Sequence, residues 1–263
     1  MTWPSRLDVV LGAFRWLEYA GLIGFIGVVV IRRLAAMPPA LGWARPSMQP
    51  ALVAAFIGGL GVALAETLRD WHPTGAGAVR VLAEGVALLL CIYVRRWVVP
   101  PALIAVAALA SAGHAGDVNP AAGAVLTDAV HVLSAGVWAG GILVLATVFP
   151  PGGWGGEAGR ALLERFGRVA FLAFAVTALT GVLRAIDSVH SVNALWETQY
   201  GLVLSVKTAG VLVMVAMSAL VWRRKPAAAP YEALVVLLVL AATAVLAVSQ
   251  VPHWTSTLSQ WPP

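Results

Sequence analysis

Residues 126–141 read LTDAVHVLSAGVWAGG, a small and apolar stretch that nevertheless carries Asp128 and His131 one helical turn apart. Gly136 and Gly140 form a Gly-x-x-x-Gly pair, which lets transmembrane helices approach closely. The acid and the imidazole fall on a different face of the same helix. The stretch therefore predicts a membrane helix that packs tightly through one face and presents titratable groups on another.

The composition places the whole chain in a membrane. Of its 263 residues, 60% are hydrophobic and 11% are charged, and the mean hydropathy is +0.87. A soluble domain has about 25% charged residues. The net charge of +5 does not predict a nucleic-acid partner, because the basic residues lie in short loops between apolar segments. The single cysteine excludes an internal disulfide and a multi-cysteine zinc site.

Eight apolar segments approach or reach the roughly 20 residues that a helix needs to cross the hydrocarbon core. They cover residues 11–31, 50–67, 78–94, 98–113, 126–149, 166–186, 201–222 and 232–250. The strict alternation of a membrane β-barrel is missing. We therefore predict an all-α, polytopic membrane helical bundle of about eight transmembrane helices, folded as a single domain over residues 1–263.

Loop charges predict the orientation of this bundle. If the N-terminus lies outside, eleven of the seventeen Lys and Arg residues fall in inner connections, as the positive-inside rule requires. These eleven are Arg32, Arg33, Arg45, Arg95, Arg96, Arg160, Arg165, Arg168, Arg223, Arg224 and Lys225. Both termini are then predicted to be outside, and all five histidines fall at or just beneath the outer surface.

Ionisable residues within or at the ends of the predicted helices all map to the outer half of the bundle. They are Arg15, Glu18, Glu66, Arg80, Glu84, Asp128, Arg184 and Lys207. A charge at the centre of a membrane helix costs at least about 2.5–3.5 kcal/mol, so such residues face a partner or a cavity. We expect ion pairs between helices, a polar vestibule open to the outside, or both.

A second histidine adds to the opening stretch. His114 ends the fourth apolar segment, and a short loop joins it to the helix of His131. Antiparallel neighbours bring the two imidazoles to a similar depth, with Asp128 one turn away. This arrangement favours a metal or cofactor site; the alternative is a histidine hydrogen-bonded within the bundle, with Asp128 fixing its tautomer.

Four motifs resemble a known family. They are GHAGD at 113–117, DAVHVLSAGVWAGGI at 128–142, RFGRVAFLAFAVTALTGVLRA at 165–185 and TQYGLVLSVKTAG at 198–210. In this order they are similar to the copper resistance protein D family of bacterial inner-membrane proteins, and the likeness is best over residues 113–225. The resemblance implies copper import or transfer at the cytoplasmic membrane, with a periplasmic copper-binding protein as a possible partner. No nucleophile motif is present, and we predict no enzymatic activity.

Copper also suits the residue types, since imidazole binds both copper valences and sulfur ligands bind copper(I). We predict an outer copper site of His114 and His131, with Asp128 as a third ligand or as the acid that orients the ring. Trp138 would close its floor. A sulfur path further in would use Met214, Met217 and Cys91.

Two alternatives to copper handling remain open at this stage. The chain could be a haem-b redox protein with axial ligands among His114, His131 and His190, or a non-catalytic assembly protein. Whether His72, His190 and His253 bind metal is also open. No nucleotide-binding motif is present.

The loop charges generate a first test. A reporter fused after Pro263 should be active only on the outer side of the membrane, because the bundle is predicted to have both ends there. Fusions in the Arg95–Arg96 connection should report the inner side and serve as the control. A cytoplasmic signal from the Pro263 fusion contradicts the predicted orientation.

Overall fold

The computed structural model describes residues 6–68, 75–112, 121–188, 193–223 and 229–248. Within these ranges all regular structure is helical. In chain order the elements are α1 (Arg6–Ala36), α2 (Gln49–Thr67), α3 (Gly75–Tyr93), a 3₁₀ turn (Arg95–Trp97), α4 (Val99–Ser111), α5 (Ala121–Ala135), a π-helical segment (Gly136–Gly140), α6 (Gly141–Leu145), α7 (Glu157–Ser188), α8 (Ala194–Glu197), α9 (Gln199–Arg223) and α10 (Ala229–Val248).

The predicted all-α polytopic bundle is confirmed. Among the described residues, seven helices are long and apolar enough to cross a membrane; α5, the π-helical segment and α6 together make one of them. The predicted segment 98–113 differs, because α4 has only 13 residues. This helix has two proline residues in its first turn and lies within the predicted segment, but it is too short to be one of the seven.

The short helix α4 nevertheless runs antiparallel to α3. Val98, at its start, shares a buried cluster with Cys91 near the end of α3. Leu109, near its end, shares another cluster with Ala83, two turns earlier in α3. The chain is thereby carried back toward the end of the bundle where α1 begins. We call this the outer end, following the predicted orientation.

Helix α1 lies at the centre of the bundle because glycines let its neighbours reach its backbone. A Cβ atom built on Gly27 would lie 2.1 Å from the carbonyl oxygen of Gly140. One built on Gly21 would lie 2.2 Å from the backbone nitrogen of Ala55 in α2. The predicted Gly-x-x-x-Gly face is therefore confirmed, since Gly136 and Gly140 both pack against α1.

The inner end of α1 is held by one arginine of the Arg-Phe-x-Arg motif. Arg165, near the start of α7, donates hydrogen bonds to the carbonyl oxygens of Leu34 at 2.9 Å, Met37 at 3.0 Å and Pro39 at 2.9 Å. These carbonyls end α1 or follow it, where a helix leaves acceptors unpaired. Arg165 therefore has a structural role in joining α7 to α1.

The backbone contact at Gly140 generates a second prediction. A Cβ atom there would lie 2.1 Å from the carbonyl oxygen of Ile23, and backbone cannot move aside easily. We expect Gly140→Ala to lower the free energy of unfolding by about 1–3 kcal/mol through overpacking. Chemical unfolding in mixed micelles measures this. The control is Gly123→Ala in α5, where nothing lies within 4 Å; equal stability of the two variants contradicts the close contact.

Candidate metal site and buried charge cluster

Three polar pairs join α5 to α7 in a regular series, which we call the α5–α7 ladder. Asp128 pairs with Arg184, the His131 ring with the Thr180 hydroxyl, and Ser134 with Thr177. One step deeper, Trp138 and Phe174 make an edge-to-face contact with ring centroids 4.8 Å apart. The spacing of three to four residues on both helices places all four pairs on facing stripes of antiparallel helices.

Most of the ladder is buried, and Arg184 is its most exposed member. The Arg184 side chain, at the outer end, is 39% exposed, whereas Ser134 and Thr177 are buried. Trp138 is also buried. A polar track therefore enters the bundle between α5 and α7 and ends at an aromatic floor. The predicted position of Trp138 beneath the polar residues is confirmed, and Phe174 is its partner.

The contacts of the Thr180 hydroxyl favour one tautomer of the His131 ring. Nδ1 lies 2.9 Å from the Thr180 hydroxyl oxygen. That hydroxyl donates its single hydrogen to the carbonyl oxygen of Val176 at 2.7 Å. Thr180 therefore accepts from Nδ1–H, and Nε2 carries the lone pair with which a neutral imidazole binds a metal. A Cβ atom built on Gly181, next along α7, would lie 3.4 Å from His131 Cε1, which is an ordinary contact.

The structure shows a partner of the His131 ring that the sequence did not predict. Sequence spacing gave this role to Asp128, but Asp128 forms an ion pair with Arg184 across the helix interface. Thr180 contacts the ring nitrogen instead. The ring partner comes from α7, 49 residues along the chain, so that spacing within α5 could not reveal it.

Two cations lie near the histidine. Lys207 of α9 and Arg184 of α7 are both within electrostatic range of His131. Lys207 also interacts with Asp128. Asp128 thus supplies the negative charge of a site that otherwise carries positive groups. Three helices, α5, α7 and α9, contribute to this outer region.

The other predicted ligands are placed as follows. His114, His72, His190 and His253 lie outside the described residues. Met214 is buried in the cluster around α1, α7 and α10, whereas Cys91 is buried in a separate cluster around Phe25 and Leu52. Met217 is half-buried on α9. The structure therefore does not bring the sulfur residues of α3 and α9 together. Among the described residues, no three His, Cys, Asp or Glu side chains form a metal-binding group.

A second group of polar residues lies where α1, α2 and α3 meet, and we call it the Arg–Glu cluster. Its members are Arg15, Glu18, Glu66, Arg80 and Glu84. Arg80 Nε lies 2.6 Å from Glu18 Oε1, and the two side chains are 1% and 0% exposed. Arg15 binds Glu18 Oε2 at 3.0 Å and Glu66 Oε1 at 3.1 Å. The expectation that these charged residues pair between helices is confirmed.

Sequence reasoning missed several of these polar groups. Ser134, Thr177 and Thr180 were not predicted. Ser134 nevertheless continues the stripe that Asp128 begins on α5, and the two threonines continue the stripe that Arg184 begins on α7. Glu232, at the start of α10, is also buried and accepts a hydrogen bond from Ser218 of α9. A search for polar residues with matching helical periods on two helices would have found the ladder.

These features define a class: a multi-pass, all-α membrane protein with charged and polar groups collected near one end of the bundle. The family model described as copper resistance protein D matches residues 160–251. This match confirms the family that the sequence predicted, over about a third of the chain. Comparison with curated proteins and with solved structures found no match.

The matched residues contain α7 to α10 and hence one side of the ladder. Arg184, Thr180 and Lys207 lie within them, whereas Asp128 and His131 lie outside. The sequence resemblance had begun earlier, at residue 113, and had ended at 225. The family match therefore supports a membrane protein related to copper resistance and leaves the metal ligands to be tested.

The Arg–Glu cluster generates a third prediction. Arg80→Ala leaves Glu18 with one arginine and removes a contact between α1 and α3, so that a buried charge loses a partner. We expect the free energy of unfolding to fall by about 3–5 kcal/mol. The control is Arg33→Ala, at the exposed inner end of α1, with an expected change of about 1 kcal/mol or less. Equal effects in chemical unfolding experiments contradict the importance of the buried pair.

Proposed function

We propose that the protein handles copper at the bacterial cytoplasmic membrane and imports or transfers the ion across it, without catalysing a chemical reaction. The copper resistance protein D match supports the connection with copper. The seven apolar helices support a protein embedded in the bilayer. Copper is the cargo, and the α5–α7 ladder is the proposed entry site.

The observation that carries this proposal is the hydrogen bond from His131 to Thr180. It orients the imidazole and leaves Nε2 as the unprotonated nitrogen. Metal-binding histidines commonly donate their other ring N–H in this way, which fixes the tautomer and raises the basicity of the ligand. The half-buried ring lies one turn beneath the partly exposed Arg184–Asp128 pair, within reach of an ion from the outer side.

Asp128 balances the positive charges at the proposed entry site. An ion that approaches His131 also approaches Arg184 and Lys207, which repel it. The Asp128 carboxylate offsets these charges and offers oxygen atoms beside the imidazole. His114, before α5, is the proposed second nitrogen ligand. A periplasmic copper-binding protein would deliver the ion to this end of the bundle.

The fourth prediction concerns copper affinity. We expect His131→Ala to weaken copper binding more than Asp128→Asn, because it removes a ligand atom. Thr180→Val should cost about 10–100-fold in affinity, as loss of a residue that orients a ligand does. The matched control is Thr208→Val on α9, whose exposed hydroxyl bonds only to its own helix at Leu204. Competition with a chromogenic copper(I) chelator, on protein in nanodiscs, measures the affinities.

Four results would contradict the proposal in whole or in part. If His131→Ala binds copper with wild-type affinity, His131 is a structural residue and not a ligand. Equal affinities in Thr180→Val and Thr208→Val would remove the argument from ring orientation. A Soret band with near-stoichiometric haem in the purified protein would favour a redox protein. If copper-loaded proteoliposomes show no more copper flux than copper-loaded liposomes without protein, the function is limited to binding.

A further inference from the structure

The Arg–Glu cluster contains one more acid than base. Arg15 pairs with Glu18 and Glu66, and Arg80 pairs with Glu18, so that both arginines and two of the three glutamates have partners. Glu84 is the carboxyl that remains. It is only 1% exposed, on the same face of α3 as Arg80, one turn further along. The cluster therefore concentrates its excess negative charge on one fully buried side chain.

Neither oxygen of Glu84 meets a hydrogen-bond donor among the residues that the structure describes. Its neighbour is the carboxyl of Glu18, which lies within hydrogen-bonding reach. Two ionised carboxylates have only acceptor atoms and repel each other. The contact between Glu84 and Glu18 becomes a hydrogen bond when one of them carries a proton.

The protein provides space for this contact. A Cβ atom built on Gly59 of α2 would lie 2.1 Å from Glu84 Oε2. One built on the preceding residue, Gly58, would lie 2.3 Å from the backbone nitrogen of Glu18. Adjacent glycines thus admit the Glu84 carboxyl on one side and the backbone of α1 on the other. The pocket around the two acids is formed by α1, α2 and α3 together.

We propose that Glu18 and Glu84 form a proton-binding site, in which a single proton is shared between the two carboxyls. An isolated ionised carboxylate in a membrane interior is costly, and the proton removes the excess charge. Among the residues that the structure describes, the charged and titratable groups around these two acids are Arg80 on α3, Arg15 and Tyr19 on α1, and Glu66 on α2. This proton-binding site does not depend on copper being the cargo.

The same geometry allows the proton to leave. Arg80 Nη1 and Nη2 have no hydrogen-bond acceptor among the described residues. Glu84 is four residues further along α3, on the face that Arg80 occupies. When the proton departs, the Glu84 carboxylate can turn from Glu18 to these two nitrogens, and Arg80 then bridges both acids. The site therefore has a protonated and an ionised arrangement, as a group that exchanges protons requires.

The fifth prediction tests this site by infrared spectroscopy of the full chain in nanodiscs. The wild-type protein at neutral pH should show the C=O stretching band of a protonated carboxylic acid, and the band should shift in D₂O. Glu84→Gln should remove the intensity of one such group, because glutamine has no acid proton. The matched control, Glu197→Gln at an exposed position on α8, should leave the band unchanged. A wild-type band in Glu84→Gln overturns the proposal.

A second variant covers the case in which Glu84→Gln does not fold. Gly59→Ala keeps every titratable group but presses a methyl group against Glu84 Oε2, at the flexible end of that side chain. The carboxylic acid band should then shift in frequency without losing intensity, because the hydrogen bond to Glu18 is displaced. An unchanged frequency overturns the assignment of the band to Glu84. Gly75→Ala, with open space around it, is the control.

Discussion

Backbone-to-backbone contact along α1 is the constraint on which the rest of the structure depends. In a bilayer, the lipid is as apolar as the side chains, so helices associate through close packing and polar contacts. Gly21 and Gly27 let α1 meet α2 and the π-helical segment without intervening side chains. Gly58 does the same from α2, opposite Glu18. These approaches place α1 within contact of helices from both halves of the chain.

The central position of α1 also explains how its charged residues find partners. Glu18 lies where α1 touches α2, and it is reached from α3 by Arg80 and from its own helix by Arg15. A helix at the periphery of the bundle would have exposed such a residue to lipid. Tyr19, the next residue, is within electrostatic range of Arg80 and also of Arg184. The Arg–Glu cluster and the α5–α7 ladder are therefore neighbouring polar regions at the same end of the molecule.

The two regions differ in how their charges are balanced. The Arg–Glu cluster is almost wholly buried and has one acid in excess. The ladder opens outward through Arg184, and the cations Arg184 and Lys207 share one acid, Asp128. A buried region with an excess acid suits the binding of a proton, whereas an open region with an oriented imidazole suits the entry of a metal ion. The proton and the metal ion are thus each assigned to the region whose exposure and charge suit them.

Composition, hydropathy and the lack of strict alternation were enough to predict an all-α membrane bundle, because only helices and closed barrels satisfy the backbone in the hydrocarbon core. The Gly136–Gly140 pair also predicted a close helix contact correctly. Only the tertiary structure decided the partners. Asp128 meets Arg184, and His131 meets Thr180, because α7 packs antiparallel to α5 in one register. A threonine in a membrane helix ordinarily bonds to its own backbone, as Thr180 also does, so its position taken alone did not indicate the second bond. Periodicity fixes which face a residue occupies, but the residue across from it depends on helix packing between distant parts of the chain.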